Sequence, residues 1–111
     1  MKSRIVFYKT YFTDFMAKLP QKVRDKITWT LNLIEDIEKI PETYLKHIEG
    51  TNGLYEIRVQ LGSDIYRIFS FFDAGNLVIA INGFQKKTPK TPKQEIEKAL
   101  KIKKEYDESK K

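Results

Sequence analysis

Residues 54–84 constrain the fold most. They read LYEIRVQL, IYRIFSFF and LVIAINGF, three short β-branched and aromatic runs separated by two turn signals. Gly62-Ser63-Asp64 makes the first turn and Asp73-Ala74-Gly75-Asn76 the second, with Gly75 free to take a positive φ. The first run alternates. Tyr55, Ile57, Val59 and Leu61 share one side, and Glu56, Arg58 and Gln60 the other. Three strands joined by tight turns predict an antiparallel meander with an apolar face to cover.

The remainder of the chain supplies that cover. Residues 4–8, RIVFY, read as a further strand expected to join the sheet. Phe12, Phe15, Met16 and Leu19 recur with helical spacing, and Pro20 marks a junction. A longer helix is predicted over residues 21–39, with Val23, Ile27, Leu31, Ile34 and Ile37 as its apolar stripe and Pro41 as its stop. A last helix begins near Thr91, read as the N-cap, with Pro92 at N1 and Gln94 at N3 completing a capping box. Its partial apolar face is Ile96, Ala99, Leu100 and Tyr106. The expected architecture is α+β: an N-terminal strand, two helices, a three-stranded antiparallel meander and a C-terminal helix. With 111 residues, the chain fits a single domain, residues 1–111, with one modest core. Helices on one sheet face leave the other exposed, and function is expected there.

Charge sharpens the expectation. The net charge is +6, and it is unevenly placed. Up to Gln85 there are 11 basic and 10 acidic residues; beyond it there are 10 lysines and 5 acidic residues. Such asymmetry points to an anionic partner, against the alternative of a merely solvated lysine-rich helix. The chain has no cysteine, which fits a reducing, cytoplasmic setting. It has no apolar run long enough to span a membrane, and MKSRIVFYKT is too interrupted for a signal peptide. His47 is the only histidine and reads as an ordinary surface residue, so no metal site is expected. No cofactor is expected either, since there is no nucleotide-binding glycine fingerprint and no nucleophile elbow.

One constellation remains. Glu56 and Arg58 share a strand face. Arg67 sits mid-strand in an otherwise apolar segment, where a charge must be paired or solvated. A cross-strand pair with Glu56 or Asp64 would suffice. The functional alternative is a guanidinium fork for phosphate. Phe84, Lys86 and Lys87 end the neighbouring run, and Lys90 and Lys93 continue the cationic stretch. An aromatic among cations suits single-stranded nucleic acid, although Phe84 would equally plug the edge of a core. RNA carries its own nucleophile, the 2′-OH. Cleavage then needs a base, for which a lysine among cations (Lys86) or Glu56 is a candidate, and positive charge for the transition state, from Arg58 and Arg67.

The strings GLYEIRV, DIYRIFSFFDAGNLVIAINGF and GFQKKTPKTPKQEI, in this order and spacing, resemble the RelE/ParE toxin superfamily. The resemblance is greatest to its HigB-like, phage-derived branch, and it covers about residues 4–106. It implies a RelE-like α+β fold and a ribosome-dependent endoribonuclease cutting mRNA in the decoding site. It also implies a helix-turn-helix, HigA-like antitoxin, with operator DNA reached only through that antitoxin. Arg58, Arg67, Lys86 and Lys87 fall on the family's basic positions. Glu56 stands where classical RelE members carry lysine, and Asn82 where many HigB-like sequences carry histidine. ParE-type relatives inhibit DNA gyrase instead, and a non-catalytic nucleic-acid-binding accessory protein is a third possibility.

Overall fold

The computed structural model describes residues 3–75 and 77–110. The chain runs β1 (Arg4–Phe7), α1 (Tyr11–Ala17), α2 (Gln21–Asp36), β2 (Leu45–His47), β3 (Tyr55–Leu61), β4 (Asp64–Asp73), β5 (Leu77–Lys86) and α3 (Lys93–Ser109). The strands form one sheet in the order β1-β5-β4-β3-β2. β3, β4 and β5 are the predicted antiparallel meander, and β1 joins it in parallel on β5. The β3–β4 connection is a two-residue loop between the paired Leu61 and Asp64, with Gly62 at φ +61°. A hairpin that tight needs positive φ at its first central residue, which glycine adopts without a Cβ clash. The second turn carries Ala74 and Gly75 at positive φ, +52° and +82°; Asn76 lies outside the described residues. β2 was not foreseen, because its three residues follow a stretch without alternation and pair only with Tyr55–Ile57 of β3.

The sheet is covered on both faces, which corrects the expectation of one wholly open face. On the first face, Phe12 of α1 and Val23, Ile27, Leu31 and Ile34 of α2 pack on Ile57, Val59, Tyr66, Ile68 and Ala80. The α2 stripe is the predicted one, but the helix ends at Asp36. Ile37 is already extended, with ψ 133°, and Pro41 is not what stops it. On the second face, Ala99 and Ile102 of α3 pack on Leu54, Phe69, Phe71, Ile79 and Ile81. The apolar positions that β4 and β5 present on this face are the seat of α3. Its far end is tied down by Tyr106, whose hydroxyl donates to Asp73 Oδ2 at 2.6 Å, and by an ion pair from Lys110 to the same oxygen.

Two local irregularities shape the site. The β4–β5 register shifts between Ile68 and Ser70, so β5 carries a bulge there. Just beyond it, a Cβ on Gly83 would lie 2.6 Å from the Phe15 ring. Glycine at this position lets α1 seat against β5. Among the described residues no helix is long and apolar enough to cross a membrane.

Candidate functional site

Strand register assembles the site. Arg58 pairs with Arg67, and Arg67 with Phe84, so one row crosses β3, β4 and β5. The next row is Gln60, Ile65 and Lys86. Glu56 lies two residues before Arg58 and therefore on the same face. At this corner β3 and β4 carry charge in place of apolar side chains, and the chain entering α3 touches it through Thr91.

Glu56 is the hub. Its Oε1 lies 3.6 Å from Arg58 Nε and 3.6 Å from Arg67 Nε. These are ion pairs beyond hydrogen-bond length, and both Nε atoms are buried without a hydrogen-bond partner. The other carboxylate oxygen accepts from the Thr91 hydroxyl at 3.2 Å. The forks are steadied from outside: Arg67 Nη1 donates to Tyr66 O at 3.1 Å and Arg58 Nη1 to Glu42 O at 3.3 Å. Arg67 is only 5% exposed and Glu56 only 7%. Burial lowers the Arg67 pKa, Glu56 opposes that, and Arg58 adds to it; a guanidinium starts high enough to stay charged. Lys86 is also pushed below the ordinary lysine value. Partial burial is the first cause and the Arg67 charge the second, with Arg58 and Lys46 acting the same way and Glu56 opposing. Three cations thus share one carboxylate. The corner has surplus positive charge, which favours an anion.

A cleft of about 400 Å³ opens from this corner around the edge of β3, lined by Lys26, Thr30, Glu42, Thr43, Tyr44, Arg58, Val59, Gln60 and Arg67.

Residues 14–104 match the family described as Phage derived protein Gp49-like (DUF891). The chain belongs to this family. It is a family of RelE/HigB-type toxins. A chain of the RelB-RelE antitoxin-toxin complex from Methanococcus jannaschii shares the fold, with a TM-score of 0.53 at 20% identity over 71% of this chain and 87% of that one. No curated protein matches in sequence.

Against this Gp49-like frame, the anticipated residues divide into two groups. Glu56, Arg58, Arg67 and Lys86 come together. Phe84 occupies their row, but its ring stacks on Phe69, with centroids 5.5 Å apart, and joins the second core cluster. One of its faces is therefore taken. Lys87, Lys90 and Lys93 are exposed and make no ion pair among the described residues. Thr91 corrects the capping box. The N-cap is Pro92, no side chain caps α3, and the Thr91 hydroxyl serves Glu56 instead. Thr91 was thus a site residue disguised by a good capping pattern. Lys26, Thr30 and Tyr44 had no local signal at all, because they reach the site from α2 and an irregular segment. His47 is an exposed residue whose ring bonds Thr51 O at 3.1 Å.

Proposed function

We propose that the protein is the toxin of a type II toxin–antitoxin system and acts as an endoribonuclease on mRNA held in the ribosome. The supporting observation is the Arg58–Arg67 pair, two adjacent guanidiniums that share a single carboxylate, beside a lysine of lowered pKa. In this reading the scissile phosphate displaces solvent at the two forks. The unprotonated fraction of Lys86, enlarged by its lowered pKa, takes the proton of the 2′-OH as its oxygen attacks phosphorus. The P–O5′ bond breaks, and the 5′-oxygen is protonated by the Lys86 ammonium or by water. The products are a 2′,3′-cyclic phosphate and a 5′-hydroxyl end. Arg58 and Arg67 neutralise the charge that grows on the non-bridging oxygens, where such donors are worth most.

Lys86 suits the base role better than Glu56. Both Glu56 oxygens are engaged, one by two guanidiniums and one by Thr91, so the carboxylate orients the arginines. Lys87, Lys90 and Lys93 hold the strand further along, and the exposed part of Phe84 meets a base. A helix-turn-helix antitoxin neutralises the toxin, and operator DNA is engaged only through it.

The test is growth arrest on induction without the antitoxin. Arg67→Ala is expected to lower toxicity by about 100-fold or more in rate terms while the purified variant keeps its circular dichroism. A folded Arg67→Ala that arrests growth like the parent contradicts the site. Primer extension in the same cells separates nuclease from gyrase inhibitor: intact mRNA with a DNA damage response would assign the ParE-like activity, and healthy growth the accessory role.

A further inference from the structure

β2 ends early. Its pairing with β3 stops at Leu45–Ile57, and only one more bond follows, from Arg58 N to Tyr44 O at 2.8 Å. Beyond it β3 has a free edge, and the cleft of about 400 Å³ occupies the place a longer β2 would fill. The cleft is chemically two-ended. One end is Arg58 and Arg67, already described. The other is Lys26, Thr30 and Tyr44, and Trp29 adjoins it through Tyr44 and Lys26. The Trp29 and Tyr44 rings meet edge-on, 6.3 Å between centroids at 67°. The Lys26 ammonium stands 4.2 Å over the Trp29 ring. Trp29 is 49% exposed although it belongs to a core-packing helix. The indole stays half open to solvent, braced by two residues that line the cleft.

We propose that this cleft is a nucleotide subsite: a phosphate of the RNA sits at Arg58 and Arg67, and the adjoining base packs into the Tyr44–Trp29 corner. The phosphate end rests on the nuclease reading; the aromatic end extends it to a residue pair that the catalytic chemistry does not use. A cleft of this size accepts one small ligand. Cations at one end with aromatic faces at the other match a nucleotide's own polarity, and base stacking of this kind tolerates any sequence. Lys26 adds a positive charge beside the base, in reach of the next phosphate along the strand.

Trp29 is the only tryptophan, so its fluorescence reports on the corner alone. The probes are a non-cleavable 2′-O-methyl trinucleotide, the same trinucleotide abasic at its centre, and inorganic phosphate. The trinucleotide is expected to quench Trp29, and inorganic phosphate to bind without quenching. The abasic form should bind about ten-fold more weakly. Trp29→Leu and Tyr44→Leu should each weaken the trinucleotide about ten-fold by fluorescence anisotropy of a labelled strand, leaving the abasic strand unaffected. Trp29 is exposed, so its variant keeps the result readable even where Tyr44→Leu perturbs folding. Equal binding of the intact and abasic strands, or a Trp29→Leu variant that binds like the parent, overturns the subsite. So does a Trp29→Leu variant that keeps RNA binding but escapes antitoxin neutralisation, which would assign the corner to a protein partner. None of these readouts needs cleavage. Quenching without mRNA cleavage would sink the nuclease reading and keep the subsite; cleavage without base-dependent binding would do the reverse.

Discussion

At the scale of single residues, the central fact is that Arg67 is buried beside a carboxylate too far away to hydrogen-bond it. Removing the carboxylate leaves a buried charge uncompensated, which is far costlier than losing a surface pair. Glu56→Gln is therefore expected to destabilise the fold by about 3 kcal/mol, measured by urea unfolding. Adding Arg67→Met to it should restore most of the loss. Additive losses in the double variant would mean that the two side chains do not depend on each other. Lys86 yields a pH prediction. Its folded pKa is lowered, so between that value and the ordinary 10.5 the unfolded chain holds the proton and the folded one does not. Stability gains from this group as pH rises across that window. As a general base it must be neutral, so cleavage rate should rise with pH up to its folded pKa and then level off. Lys86→Arg keeps the charge and should abolish that rising limb; an unchanged profile would remove Lys86 from the base role.

At the scale of elements, the β4–β5 hairpin and the start of α3 decide whether the arginines meet their carboxylate. Gly83 sits where a Cβ would press into Phe15 at 2.6 Å. Gly83→Ala should cost about 1–3 kcal/mol through overpacking, seen as a lower urea midpoint with unchanged slope. A neutral effect would mean that α1 shifts freely. Thr91 links α3 to the site. Thr91→Val and Glu56→Ala should be non-additive in a double-mutant cycle, since each removes one partner of the same hydrogen bond. Full additivity would return Thr91 to a capping role. The elements were legible in sequence wherever period or turn chemistry was strong: the meander, the α2 stripe, the two turns. They were not legible where a short strand borrows its partner's edge, as β2 does, or where a threonine before proline satisfies two descriptions at once. A capping pattern is local, and the Glu56 carboxylate that claims Thr91 lies 35 residues away.

At the scale of the whole molecule, the sheet is filled from both sides, and at one corner the filling is charged, with Glu56 and Arg67 buried there. Sequence alternation placed Glu56, Arg58 and Gln60 on one face. It did not show that α3 would close most of that face, because the same apolar run in β4 serves an open or a covered sheet. Once α3 is seated, Arg58, Arg67 and Lys86 form a charged patch across β3, β4 and β5. The far end of α3 holds by Asp73, whose pKa is lowered by Lys110 first and Tyr106 next, while Asp73 raises Tyr106 to about 12. That support is present above the ordinary aspartate value of 3.8 and fades as pH falls through the lower folded value. The most direct test of the whole account is the chemistry of mRNA ends after brief induction without antitoxin. The prediction is new 5′-hydroxyl ends paired with 2′,3′-cyclic phosphates in translated messages, absent with Arg67→Ala. Growth arrest with mRNA ends unchanged, or the same cuts from a folded Arg67→Ala protein, would contradict it.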